Sequence, residues 1–273
     1  MTNIDWLNND ITFFNMFILA FAFSVMLSYL VLAAISAFSL KQYLKRNRLV
    51  PYKSLLAFKD APKISIIAPA YNEGLTIKEN ILSLLSIQYN NFDVIVVNDG
   101  SKDNSMEILL ESFDLIECKD PYVQQVATKN VRNIYVSKNP TYSKLIIIDK
   151  ENGGKADALN TGVNFSKNPY VMCIDVDCII EKDVLLKLSK PFLESPKKRI
   201  IATGGVVRIA NSCIIKSGKL FKVNVPDNLL ARIQVLEYLR AFILGRMAWE
   251  KLDGLLLISG AFGMFDKDIV LKV

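Results

Sequence analysis

KISIIAPAYNE, residues 63–73, decides the fold because an apolar strand pattern runs directly into a polar cluster. The same arrangement returns three times, in FDVIVVNDGS (92–101), KLIIIDKENGGK (144–155) and YVMCIDVD (170–177). Apolar residues at helical spacing separate these stretches, and strands that alternate with helices indicate a largely parallel α/β sheet. Ligands bind beyond the carboxyl ends of the strands in such a sheet, which is where the four polar clusters fall.

The rest of the pattern extends this alternation in both directions. Strands are predicted at 63–69, 92–98, 144–149, 170–175 and 200–209, and helices at 74–86, 103–112, 156–165 and 181–192. Residues 229–252 follow as a long helix with both apolar and basic positions. Two readings of that helix stay open: an ordinary packed surface helix, or a helix that lies in a membrane interface.

Residues 11–40 contain no charged side chain. Thirty helical residues rise about 45 Å, more than the roughly 30 Å hydrocarbon core of a bilayer requires. The preceding residues carry Asp5 and Asp10 but no basic residue, unlike a cleaved signal peptide. We therefore expect a short extracytoplasmic stretch at 1–10 and a transmembrane helix at 11–40.

Basic residues cluster directly after this apolar run, in a predicted juxtamembrane linker at 41–62. The positive-inside rule assigns them, and everything that follows, to the cytoplasmic side of the cell (inner or plasma) membrane. The cluster contributes much of the net charge of +6 and the pI near 9.0. No helix-turn-helix, zinc-finger or RNA-binding motif is present, so we expect a membrane partner and no nucleic acid.

The composition removes several kinds of chemistry. The chain has no histidine, which excludes histidine triads, histidine acid–base catalysis and histidine metal ligands. The four cysteines form no CxxC pair, so a zinc site or a thioredoxin-like motif is not expected.

Asp175 and Asp177 are the sharpest chemical signal. Two carboxylates at i and i+2 are hard oxygen ligands that can hold Mg²⁺ or Mn²⁺ while a diphosphate completes the coordination shell. Because they directly end an apolar strand, burying both charges without a cation would be costly. The pair therefore predicts a divalent metal site.

Other strand ends carry weaker signals, each with a structural alternative. Residues 152–155 (NGGK) either bind a phosphate through backbone N–H groups and Lys155 or form a glycine turn that caps a helix. Asp99 either accepts from a ribose hydroxyl or base N–H or forms an Asx-turn. Glu73 either borders a nucleotide or sits at a helix N-terminus. The small residues of 259–263 (SGAFG) make room either for another backbone or for a sugar.

Taken in order, five segments resemble the processive family-2 glycosyltransferases with the GT-A fold, a group that includes poly-N-acetylglucosamine, hyaluronan and cellulose synthases. The segments are IIAPAYNE (66–73), VIVVNDGSKD (94–103), NGGKADALN (152–160), CIDVD (173–177) and SGAFGMF (259–265). The resemblance implies a nucleotide-diphospho-sugar transferase domain of GT-A type over 63–273. It also implies inverting transfer from a UDP-sugar donor to a growing glycan or polysaccharide acceptor.

The resemblance also assigns roles to individual residues. The nucleotide-sugar would be bordered by Ala70, Tyr71, Glu73, Asp99, Lys155, Asp157 and Asp175. The metal would be held by Asp175 and Asp177, and the acceptor sugar would lie near Ser259, Gly260, Ala261 and Phe262.

The family's catalytic base lies in a Thr/Gly-Glu-Asp motif beyond the SGAFG segment and is followed by Gln-x-x-Arg-Trp, and neither motif occurs in this sequence. The general base is therefore unassigned, and we expect the domain to be incomplete at its C-terminus. The missing motifs motivate one alternative: a non-catalytic or split-enzyme nucleotide-sugar-binding subunit, with a second chain that supplies them. A transferase that moves one sugar to a lipid phosphate carrier is a further alternative.

Overall fold

The computed structural model describes residues 3–47, 61–118, 122–194, 199–216, 219–255 and 257–272. The chain divides into two units. One comprises Met1–Val50, Val206–Ile209 and Leu229–Leu256, and the other comprises Pro51–Gly205, Ala210–Asn228 and Leu257–Val273.

An eight-stranded mixed sheet forms the second unit, in the order β3-β4-β5-β2-β1-β6-β10-β7. Its strands are β1 Ile64–Ala70, β2 Phe92–Asp99, β3 Leu115–Glu117, β4 Val131–Ser137, β5 Leu145–Lys150, β6 Tyr170–Ile174, β7 Ala202–Gly204 and β10 Phe262–Asp266, and a separate hairpin pairs β8 Ile214–Lys216 with β9 Lys219–Lys222. The four central strands β5, β2, β1 and β6 are parallel, and the strands on both flanks are antiparallel.

Helices cover both faces of this sheet. They are α2 Ile77–Leu85, α3 Ser105–Phe113, α4 Lys155–Phe165, α5 Val184–Glu194 and α8 Lys267–Val270, with a 3₁₀ turn at Pro140–Tyr142. Alternate residues of β1 enter opposite cores: Ile66 packs with the apolar side of α2, and Ile67 packs with α4. A Cβ on Gly162 would lie 2.3 Å from Ile67, so this glycine allows α4 to approach the sheet closely.

The predicted α/β class is confirmed, and the four parallel strands and their helices lie within a few residues of their predicted bounds. Two predictions need correction. The sheet is mixed rather than largely parallel, because β4 pairs antiparallel with β3 and β5, and β10 pairs antiparallel with β6. Strands β3, β4 and β10 were not predicted. The strand predicted at 200–209 is limited to β7.

Helix α1, Asn3–Asn47, belongs to the first unit. It continues past the predicted span at 11–40 and includes the start of the predicted linker, while 48–60 lies outside the described residues. Its segment Ile11–Lys45 is long and apolar enough to cross a membrane, judged by length and composition.

The helix predicted at 229–252 is present as one continuous run. It consists of α6 Leu229–Leu239, a π-helical segment Arg240–Arg246 and α7 Met247–Lys251. The Ser36 hydroxyl of α1 donates to the backbone carbonyl of Ile243 in the π-helical segment.

Candidate functional site

The four parallel strands deliver the predicted polar clusters to a single sheet edge. The carboxyl ends of β5, β2, β1 and β6 lie side by side, because each of these strands pairs in parallel with its neighbour in the sheet. The antiparallel β10 begins at this edge, since Phe262 pairs with Ile174 at the end of β6. The sheet register therefore groups residues that are far apart in the sequence.

Asp175 and Asp177 occupy a tight turn directly after β6. The backbone N–H of Cys178 donates to the carbonyl of Asp175 at 3.0 Å, which closes the turn. One ligand atom from each of Asp175, Asp177 and Cys178 lies within 4.8 Å of the other two. These two carboxylates fit Mg²⁺ or Mn²⁺, because both ions prefer oxygen ligands.

The Cys178 thiol was not among the predicted site residues. Burial, followed by the charges of Asp177 and Asp175, raises the pKa of Cys178 to about 11, so the thiol is protonated at neutral pH. Mg²⁺ and Mn²⁺ prefer oxygen to sulfur ligands, so the two carboxylates are the groups that suit these ions here.

Lys155 lies beside the same turn. Its ammonium is 2.5 Å from a carboxylate oxygen of Asp175, and both side chains are partly exposed. Lys155 is the first residue of α4, so a cation at a helix N-terminus pairs with one of the two aspartates. The structure thus brings together two predicted residues that are 20 positions apart and gives the site both signs of charge.

Asp99 ends β2 and is 3% exposed. Its carboxylate accepts from the backbone N–H groups of Gly153 (3.0 Å) and Gly154 (2.7 Å), and its carbonyl accepts from the Asn152 amide. Asp99 therefore organises the 152–154 loop. Its direct contact with a nucleotide stays a prediction.

A buried lysine holds this arrangement together. Lys150 is completely buried, and its ammonium lies 2.7 Å from Asp99 and 2.5 Å from Asp157. Asp157 also accepts from the backbone N–H of Lys129. Sequence reasoning missed Lys150. The available signal was a lysine that follows Asp149 at the carboxyl end of β5, at the edge where the other polar residues lie.

The loop after β1 is tied to the loop after β2. Ala70 is buried at the end of β1, and Tyr71 is exposed. Asn72 has a left-handed backbone (φ 57°). Its backbone N–H donates to the Ser101 hydroxyl oxygen, and its side-chain oxygen accepts from the backbone N–H of Lys102. The Glu73 carboxylate accepts from the Thr76 hydroxyl at 3.3 Å just before α2, which agrees with the helix-start reading of Glu73. The nucleotide-border role of these residues stays a prediction.

The segment predicted to bind the acceptor lies against the aspartate turn. The backbone N–H of Asp175 donates to the carbonyl of Ala261 at 3.3 Å, and the N–H of Phe262 donates to the carbonyl of Ser259 at 3.2 Å. Gly260 is exposed, and a Cβ there would meet no atom within 4 Å. By contrast, Gly263 is buried and pairs with Cys173 of β6 and Gly204 of β7. This position agrees with the alternative in which the small residues make room for another backbone.

Comparison with known proteins supplies an independent finding. The family model described as glycosyl transferase family 2 matches residues 65–130 and 126–212. A poly-beta-1,6-N-acetyl-D-glucosamine synthase of Staphylococcus epidermidis is 30% identical over 230 residues, which cover 83% of this chain and 44% of that protein. A synthase of the same name from Staphylococcus aureus strain COL is 27% identical over 211 residues, or 77% of this chain and 41% of that one. The chain therefore spans less than half the length of these relatives.

A solved structure shares the fold. A mannosyltransferase from Pyrobaculum calidifontis, in complex with GDP-Man and Mn²⁺, aligns with a TM-score of 0.50 at 17% identity. The alignment covers 89% of this chain and 56% of the mannosyltransferase.

Proposed function

Because the chain belongs to glycosyl transferase family 2, we propose that it is a membrane-anchored inverting glycosyltransferase. It transfers a hexose or N-acetylhexosamine from a UDP-sugar to a growing glycan or polysaccharide at the cytoplasmic membrane face. Helix α1 is the membrane anchor, since it is long and apolar enough to span a bilayer. The relatives' names make UDP-N-acetylglucosamine the first donor to test.

The observation that carries this proposal is the ion pair of Lys155 and Asp175 beside Asp177. Asp175 and Asp177 would hold Mg²⁺ or Mn²⁺, which offsets charge on the departing diphosphate. Lys155 adds a second cation at the amino end of α4, where backbone N–H groups also favour an anion. The backbone bond from Asp175 to Ala261 keeps the predicted acceptor segment next to this metal–diphosphate site.

Binding of the donor can be tested directly on the chain. Titration calorimetry with UDP-N-acetylglucosamine and Mn²⁺ is expected to detect binding that Asp175→Asn and Asp177→Asn abolish. Asp268→Asn, which removes an exposed carboxylate from the short helix after β10, is the matched control and is expected to bind normally. Unchanged affinity in both site variants would refute the metal assignment.

A second candidate function is a donor-binding subunit whose catalytic base comes from another chain or segment. The position of Asp266 favours it. This carboxylate accepts from the backbone N–H of Asp268, pairs with Arg199 at 2.9 Å, and lies opposite Tyr170 at the start of β6. Asp266 is thus at the sheet edge away from Asp175 and cannot act on an acceptor bound there.

Transfer assays separate these functions. Radiolabelled sugar transferred by the chain to a glycan would support the complete enzyme, and transfer to a lipid phosphate would identify a single-sugar transferase. Donor binding without transfer, restored by a separate C-terminal chain, would support the subunit.

A further inference from the structure

Lys150 is a charged side chain that is closed off from any ligand. Its side chain is 0% exposed, and its ammonium lies 2.7 Å from Asp99 and 2.5 Å from Asp157. The ammonium also donates to the backbone carbonyl of Glu151 at 2.5 Å. These oxygens can use every N–H donor of an ammonium. Any effect of Lys150 on ligand binding therefore passes through its two carboxylate partners.

Asp99 connects Lys150 to the 152–154 loop. One oxygen of its carboxylate accepts from Lys150 and from the N–H of Gly153 at 3.0 Å, and the other accepts from the N–H of Gly154 at 2.7 Å. A carboxylate has about four lone-pair positions, so these bonds use most of them. Because the side chain is also 4% exposed, its carboxylate serves the loop rather than the surface of the site.

Asp157 packs against the same loop. A Cβ on Gly153 would lie 2.4 Å from a carboxylate oxygen of Asp157, so the backbone passes directly over this group. Gly154 then has φ 87°, and Lys155 begins α4 with its ammonium 2.5 Å from Asp175. The place of Lys155 at the site therefore depends on how this loop is held.

We propose that Lys150 is a positioning residue for diphosphate binding: through Asp99 and Asp157 it fixes the 152–154 loop, and with it Lys155. This inference rests on the proposed function, in which Lys155 binds the diphosphate. It gives Asp99 an indirect role in place of the expected contact with a ribose or base. A cation that is held in place before the donor arrives loses less freedom on binding, so the three buried groups raise the affinity for the diphosphate. They leave the choice of nucleoside to other residues.

The test compares ligands with and without a nucleoside. Calorimetry on the full chain with Mn²⁺ measures the affinities for UDP and for inorganic pyrophosphate. Electron paramagnetic resonance measures the affinity for Mn²⁺ alone. The variants are Asp99→Asn, Lys150→Met and the two combined, since the combination keeps the pair neutral if Lys150→Met alone does not fold.

A destabilised variant away from the loop serves as the control. Leu109→Ala removes a fully buried side chain of α3 from the core on the face of the sheet opposite α4, which destabilises the fold by cavity formation. Circular dichroism identifies a temperature at which every variant that is measured is folded.

We expect the site variants to lower the affinities for UDP and pyrophosphate by the same factor, about tenfold, so that the ratio of the two affinities stays constant. The Mn²⁺ affinity should not fall, because Asp175 and Asp177 are unchanged. Leu109→Ala should bind both ligands normally.

A selective loss of UDP affinity in Asp99→Asn would overturn the inference, because it would show that Asp99 contacts the nucleoside. Unchanged pyrophosphate affinity in the site variants would overturn it too, as would a parallel loss of Mn²⁺ affinity or an equal loss in Leu109→Ala. A natural chain that binds neither UDP nor pyrophosphate would instead refute the proposed function, and this inference with it.

Discussion

Lys150 and Asp99 form a buried ion pair at the end of the two central strands β5 and β2, with 2.7 Å between the ammonium nitrogen and a carboxylate oxygen. The two side chains are 0% and 4% exposed. Asp99 in turn accepts from Gly153 and Gly154, directly before Lys155. The pair thus connects the sheet to the loop that presents Lys155 to Asp175, although neither of its charges is available on the surface.

Removing the ammonium should destabilise the fold strongly. Lys150→Met leaves Asp99 and Asp157 close together without a cation, and breaking a buried pair in this way costs about 3–5 kcal/mol. We expect the free energy of unfolding, measured by urea titration with circular dichroism, to fall by about that amount.

The double variant Lys150→Met with Asp99→Asn provides the control. It should recover part of the loss, because one of the two uncompensated carboxylates is gone. A loss below about 1 kcal/mol in the single variant would show that the ammonium is not required to neutralise Asp99 and Asp157.

Substitution of Lys155 should weaken diphosphate binding without weakening metal binding. Lys155→Met removes a cation that pairs with Asp175 at 2.5 Å. UDP affinity in the presence of Mn²⁺ is expected to fall about tenfold or more, as the loss of a charge-assisted hydrogen bond predicts. Mn²⁺ affinity without nucleotide should stay the same or rise, because no lysine competes for the carboxylate.

Calorimetry for UDP and electron paramagnetic resonance of free Mn²⁺ measure the two quantities separately. Lys187→Met removes a lysine that pairs with Glu181 and Asp183, and it is the matched control. A similar fall in Mn²⁺ affinity would show that Lys155 stabilises the Asp175–Asp177 turn rather than binding the diphosphate.

The sequence was sufficient to predict the parallel core and the edge at which the site lies. Central strands such as β1 are apolar on both faces, and each ends in a polar cluster that marks its carboxyl end. Strand β4 (VRNIYVS) was not predicted because its apolar and polar residues do not alternate regularly, its side chains are mostly half-buried, and a bulge near Val131 interrupts its register. Such a strand is fixed by pairing with β5, which a local pattern does not reveal.

The same distinction applies within the site. The proximity of Asp175, Asp177 and Lys155 was predictable because each follows a strand whose carboxyl end lies at the same sheet edge. Their metal and phosphate roles stay predictions. The role of Lys150 was not predictable, because it depends on which two carboxylates the fold places around it. The position of Asp266 at the opposite edge likewise follows from the antiparallel direction of β10, which the small residues of its sequence do not specify.

Two glycines at the site edge should respond differently to substitution. Gly100 has φ 68°, and a Cβ there would lie 2.8 Å from the backbone nitrogen of Asn152. Gly100→Ala should therefore lower the free energy of unfolding by about 1–3 kcal/mol through strain and displacement of the 152–154 loop. Gly260→Ala should leave stability unchanged, because its Cβ would meet no atom within 4 Å.

Thermal unfolding of both variants measures the contrast. A change in sugar transfer or acceptor binding in Gly260→Ala, at unchanged melting temperature, would support an acceptor near this residue. Equal destabilisation by the two substitutions would contradict the described loop packing.

Asp103 should make the junction of the 71–74 and 101–105 loops sensitive to acid. Desolvation is the largest single effect and opposes ionisation of this carboxyl. Hydrogen bonds from the Ser105 hydroxyl and the N–H groups of Gly74 and Ser105 together outweigh it and lower the pKa of Asp103 below its ordinary value of 3.8. A lowered pKa in the folded state stabilises the protein above pH 3.8, and this stabilisation is lost as the pH falls through the folded pKa. Asp103→Asn should therefore be less stable than the natural chain at pH 7, and the difference should vanish in acid.

Urea titrations from pH 7 to about 2.5 measure this difference. Glu107→Gln, which removes an exposed carboxylate from α3, is the control. A stability difference that persists unchanged at the lowest pH would mean that the charge of Asp103 does not hold the two loops together.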